Sequence, residues 1–181
     1  MPVHATMTAE QFDALSEEEG RKWELLDGEL IEVSSATPRQ NLIVAHLLTR
    51  LDVFAEAKKI GTPLFRTDLA VRASTRLRPD IGFVSANTWR TVDLDVVPVT
   101  QIPDIAVDII SPSETATTIN RKVDAYLKWG VQEVWADRTR DPYVVCAYID
   151  RRAKRLSEGA FLTSEFVPGW RLQIADLFEN L

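Results

Sequence analysis

A chain of 181 residues, 45% of them hydrophobic, is long enough to bury one sizeable core and short for two, so a single domain over 1–181 is expected, with 1–7 as a flexible tail. A net charge of -6 excludes a protein that coats nucleic acid through its whole surface, because such binding needs Lys and Arg to neutralise phosphates; any nucleic-acid contact must be a local patch. The single cysteine, Cys146, excludes an internal disulfide framework, and with no apolar run near the roughly 20 residues of a membrane span and no signal-peptide pattern at the start, a soluble cytoplasmic protein is expected.

In chain order, TAEQFDALSEEE has Thr8 as a cap and Phe12 and Leu15 as apolar positions, which predicts a short helix ending in a solvated run, Glu17 to Glu19. KWELLDGELIEV reads as two strands around Asp27-Gly28, a pair suited to a hairpin turn whose central residues both take positive φ. That places Glu24 on a strand. Thr37 then caps a long helix with Pro38 at its first position and Val44, Leu47, Leu48, Leu51, Phe54 and Ala55 along one stripe. Short strands are predicted at 64–71, 80–84 and 105–110. The last alternates too little to be half exposed and so should be central.

After Ser111-Pro112-Ser113 a helix is predicted from Thr117 to Trp129, closed by Gly130. VQEVWAD and YVVCAYI follow as strands joined by a turn over Thr139 to Pro142, and DRRAKR at 150–155 reads as a charged hairpin tip. The fold class is α/β, with a mixed β-sheet flanked by helices and a β-rich C-terminal third.

Asp108 lies inside the central strand among Ile, Ala and Val, where a carboxylate costs several kcal/mol unless a cation compensates it. Lys122 falls on the apolar face of the following helix, between Ile119, Tyr126 and Trp129, whereas Arg121, Asp124 and Lys128 turn away. From Asp108 to Ser111 the strand advances about 10 Å, and from Ser113 to Lys122 a helix folding back returns about 13 Å. The ammonium therefore comes level with the carboxylate. Asp80, after Pro79 at the start of the neighbouring strand, is a second acid, and two adjacent carboxylates call for a cation between them; oxygen ligands suit Mg²⁺. A buried Asp108–Lys122 ion pair without metal is the alternative.

These residues, with the K...Y..GV.E.W pattern of Lys122, Tyr126, Gly130, Val131, Glu133 and Trp135 and with WELLDGEL upstream, resemble the Uma-two restriction endonuclease family of the PD-(D/E)xK nuclease superfamily. The resemblance runs from Thr8 to Phe178. It implies a restriction-endonuclease-like fold and a DNA endonuclease using Mg²⁺ or Mn²⁺. Asp80 and Asp108, with the backbone carbonyl of Ile109, would hold the metal; Lys122 would position the attacking water and Glu24 would assist, Glu29 and Glu32 being its alternatives. A homodimer is implied too, since cutting both strands calls for two symmetry-related sites. The usual lysine two residues after the second acid is Ile110 here, but members of this family typically place it on the following helix, which matches Lys122; the chain departs from the family pattern at Asp108, Gln40 and Thr118, where glutamate, histidine and aspartate are commoner.

Arg66, Arg72, Arg76 and Arg78 form a basic segment with only Asp68 against them in sequence, a candidate DNA-phosphate stripe or a solvated loop. His4 and His46 read as tail and surface residues, and Trp129 and Trp135 as core. Seven glycines without a clustered phosphate loop argue against a nucleotide-binding enzyme on another α/β fold.

Overall fold

The computed structural model describes residues 6–15, 22–138 and 143–179. The first half comprises α1 (Ala9–Asp13), β1 (Lys22–Leu26), β2 (Glu29–Val33), α2 (Pro38–Lys58), β3 (Gly61–Phe65), β4 (Leu69–Arg72), β5 (Thr75–Leu77), β6 (Ile81–Ser85) and α3 (Ala86–Trp89). The second comprises β7 (Ile105–Ile110), α4 (Ala116–Trp129), β8 (Glu133–Arg138), β9 (Tyr143–Tyr148), β10 (Ala153–Ser157), β11 (Phe161–Leu162), β12 (Leu172–Gln173) and α5 (Ile174–Leu177). Glu17 to Glu19, the Thr139–Pro142 turn and residues 1–5 of the expected tail lie outside the described residues. Met7 donates its backbone N–H to Gly28.

The main sheet has the order β10-β9-β8-β7-β6-β3, with β7 and β8 parallel through the α4 crossover and every other pair antiparallel. A second sheet, β2-β1-β5-β4, carries the hairpin whose turn residues Asp27 and Gly28 have φ of 53° and 82°, as the Asp-Gly pair requires. The mixed sheet flanked by helices is the expected α/β class. The predicted strand over 64–71 is corrected: it is two strands in different sheets, broken at Arg66, whose φ of 43° ends the extended run. The charged tip at 150–155 is confined to its first three residues, since Ala153 begins β10.

Alternation along β7 divides the core in two. Ile105, Val107 and Ile109 face α2, where they meet Ile43, Val44, Leu47 and Leu51, the β8 residue Trp135 and the C-terminal residues Trp170, Ile174 and Leu177. Trp135 and Trp170 stack with centroids 5.9 Å apart. His46, expected on the surface, is half-buried, with Nδ1 3.4 Å from the Leu177 carbonyl. Ala106 faces the other way, with Val134, Ala125 and Tyr126, toward the second sheet's Leu26, Leu69, Val71 and Leu77. Asp108 shares that face, so the charge lies between the main sheet, α4 and the second sheet.

Candidate active site

Pairing between β6 and β7 runs from Phe83↔Ile105 to Ile81↔Val107. One residue further, Asp80 stands beside Asp108 at the sheet's end. Proline at 79 brings no N–H to continue the ladder, and the Ile109 N–H donates instead to Asp80 Oδ2 at 2.9 Å. The same row extends to β3: Phe65 pairs with Ile81, and the next residue, Arg66, donates its backbone N–H to the Asp80 carbonyl and its Nε–H to Asp80 Oδ1 at 3.0 Å. Arg66 and Asp80, one residue beyond β3 and β6, therefore sit in a row with Asp108 of β7.

From above, α4 delivers Lys122. Thr115 caps this helix by accepting the Thr118 N–H, and Gly130, with φ of 120°, stops it. Lys122 Nζ lies 3.1 Å from Glu24 Oε2 and 3.2 Å from Asp108 Oδ2, with the lysine side chain 9% exposed, Glu24 4% and Asp108 17%. Glu24 reaches across from β1 of the second sheet, and its other oxygen accepts the Arg78 N–H at 2.8 Å. Of the three hairpin glutamates only Glu24 is buried; Glu29 is exposed and pairs with Arg121, and Glu32 is exposed. The structure thus brings Glu24, Asp80, Asp108 and Lys122 together with the Ile109 backbone.

Acid outnumbers base here. Glu24, Asp80, Asp108 and Glu114 are set against Lys122 and Arg66. Burial pushes the Asp108 carboxyl up to about 7; Lys122 opposes that shift, while Glu24, Asp80 and Glu114 add to it. For Lys122, burial favours the neutral amine, yet Asp108, Glu24 and Glu114 outweigh it and the net shift is upward, so the ammonium stays charged. Among the described residues no three His, Cys, Asp or Glu side chains form a preformed metal cage. The donors nevertheless suit a hard divalent cation by chemistry: two adjacent carboxylates, a backbone carbonyl and an unbalanced negative charge.

Three further residues belong to this neighbourhood. Gln40 is buried and donates Nε2–H to the Ile109 carbonyl at 3.1 Å, while its Oε1 accepts the Thr37 N–H in a capping box. Tyr126, one turn beyond Lys122, has a buried hydroxyl with no hydrogen-bond partner among the described residues; burial, then Asp108, Glu24, Asp80 and Glu114, push its pKa up. On the α2 side, Asp137 is in register with Ile109, both its oxygens are buried without a partner among the described residues, and burial alone pushes it up to about 8.

The arginine segment is divided. Arg66 is at the site, Arg72 is exposed at the end of β4, Arg76 is paired with both oxygens of Asp13, and Arg78 with both of Asp68. The sequence showed one opposing acid; the fold supplies Asp13 and Asp80 as well.

The model of the Uma2 family, described as "Putative restriction endonuclease", matches residues 9–175. The chain belongs to the Uma2 family. All four clustered side chains, Glu24, Asp80, Asp108 and Lys122, fall inside the matched Uma2 region. The fold also resembles a crystal structure described as "a putative nuclease belonging to DUF820" from Anabaena variabilis, with a TM-score of 0.84 over 95% of this chain and 97% of that one at 19% identity. At that identity the likeness is one of fold. No curated protein matches the chain.

Proposed function

We propose that this Uma2 family member hydrolyses DNA phosphodiester bonds with Mg²⁺ or Mn²⁺. The observation that carries the reading is a charged lysine held between buried Glu24 and half-buried Asp108, beside a third carboxylate, Asp80, in a cluster with more acid than base. Asp80, Asp108 and the Ile109 carbonyl would hold the ion. Bound there, it would supply Lewis acidity to the scissile phosphate and would lower the pKa of water. The acids around Lys122 shift it toward the ammonium, which suits it to a role other than that of a base. Its ammonium instead orients the attacking water and meets the charge that develops on the phosphate. Glu24, anchored by the Arg78 N–H, fixes the direction in which Lys122 points. Gln40 holds the Ile109 carbonyl in place. DNA approaches along the segment from Arg66 to Arg78, and two copies of the chain form a homodimer if both strands are cut.

A second reading, a nuclease-fold protein that binds nucleic acid without cutting it, draws support from Lys122 on Asp108 and Arg66 on Asp80, which already neutralise the two acids. Nicking of supercoiled plasmid with Mn²⁺ separates the two. The hydrolytic reading expects the parent to nick and Asp80→Asn and Asp108→Asn to stay folded and lose nicking. A folded parent that binds DNA and never nicks it gives the second reading, and variants that nick as well as the parent remove Asp80 and Asp108 from the chemistry.

A further inference from the structure

Of the two cations at the site, one is fixed and one is exchangeable. Lys122 is enclosed and bonded to two acids. Arg66 is 28% exposed against 20% for Asp80, and its side chain meets that acid through one contact, Nε to Oδ1 at 3.0 Å. Its Nη2–H donates outward to Asn41 Oδ1 on α2 at 2.9 Å, and its guanidinium lies 5.1 Å from the centre of the Phe65 ring. Asp80 is the immobile partner, because Oδ2 is bound to the Ile109 N–H in the sheet. The arginine is therefore the group that moves when Asp80 Oδ1 takes another ligand. Its backbone is in the left-handed region at φ 43°, uncommon for a side chain of this kind, so the chain adopts a disfavoured turn where the guanidinium covers the acid.

We propose that Arg66 is an exchangeable counter-ion of Asp80: a divalent cation that takes Asp80 Oδ1 releases the guanidinium, which then binds a phosphate of the DNA strand lying over the site. This rests on the nuclease reading above and adds to it the order of events, metal first and tight phosphate contact second. A guanidinium suits the second role, because its fork of donors matches a phosphate as well as a carboxylate. Metal and arginine exclude each other on Asp80, so the resting pair weakens metal binding by the fraction of molecules in which Asp80 is uncovered. Metal and DNA in turn cooperate, because each favours the displaced arginine. Arg76 and Arg78 are bound to acids, Asp13 and Asp68, that are not at the metal position.

The test is Mn²⁺ titration calorimetry on the parent, Arg66→Ala and Arg66→Gly, with fluorescence anisotropy of a labelled duplex in EDTA and in Ca²⁺. If Asp80 is uncovered in about one molecule in ten, both variants bind Mn²⁺ about ten-fold more tightly than the parent. The parent's duplex affinity rises when Ca²⁺ is added; in both variants most of that rise is lost and the salt slope falls by about 1. Arg66→Gly suits the positive φ, so agreement between the two variants removes misfolding as the cause. A parent that binds Mn²⁺ with variants that bind it equally or more weakly overturns the exchange and leaves the nuclease reading standing. If neither parent nor variants bind Mn²⁺, the nuclease reading fails and the exchange fails with it.

Discussion

Replacing Lys122 with methionine separates a metal site from a structural ion pair. Methionine keeps the apolar stem beside Tyr126 and removes the ammonium that lies 3.1 Å from Glu24 and 3.2 Å from Asp108. Removing one partner of a buried pair costs about 3–5 kcal/mol. Two features pull this toward the lower end: Glu24 keeps the Arg78 N–H, and Asp108, already pushed up to about 7, takes a proton once its cation is gone. A loss of about 3 kcal/mol at pH 7 is therefore expected without metal, and less at pH 5, where Asp108 is neutral in the folded state. In the metal reading the acids still have a cation available, so Mn²⁺ at 100 times its dissociation constant returns about 2.7 kcal/mol. Cleavage nevertheless falls by a factor of about 10² or more, because the water is no longer positioned. The assay pairs urea unfolding with and without Mn²⁺ with nicking of supercoiled plasmid. A variant that loses several kcal/mol and regains none with Mn²⁺ would refute the metal reading and leave a buried ion pair.

Other parts of the structure give independent tests. The Asp137 carboxyl, pushed from 3.8 up to about 8, keeps a proton in the folded state that the unfolded chain gives up, so its contribution favours folding less as pH rises. Between pH 5 and pH 8 this amounts to about 4 kcal/mol at roughly 1.4 per unit, and Asp137→Asn should flatten that part of the stability profile in urea unfolding. Arg72→Ala should lower the salt slope of duplex binding by about 1, whereas Arg76→Ala, whose guanidinium is held by Asp13, should lower it less; equal effects would move the DNA path. A Cβ at Gly61 would lie 2.4 Å from the Val84 carbonyl and 2.6 Å from Phe83 Cζ, so Gly61→Ala should cost about 1–3 kcal/mol in the same unfolding assay.

What could be read from the sequence was what local periodicity determines. The apolar run, interrupted only by Asp108, placed β7 at 105–110, and helical phase put Lys122 opposite Asp108, because rise per residue is nearly fixed in both elements. The Asp-Gly turn likewise put Glu24 on a strand. Contacts made by distant segments were not legible. Arg66 looked like one more basic residue of a surface segment, because its pairing with Asp80 depends on the β3–β6 register and on a backbone break inside the predicted 64–71 strand. Gln40 stood out only as a departure from the family pattern, and its bond to Ile109 depends on where α2 lies on the sheet. Asp137 read as an ordinary strand residue, since alternation alone does not say which face is covered on both sides.

The central claim, that the acids at the end of β6 and β7 are ligands for a divalent cation, is tested most directly by anomalous diffraction from crystals of the parent protein soaked in Mn²⁺. The account predicts one anomalous peak bounded by Asp80, Asp108 and the Ile109 carbonyl, with Arg66 displaced from Asp80 and Lys122 retained at Glu24. Crystals with no peak there, and with Arg66 and Lys122 still bound to Asp80 and Asp108, would contradict it.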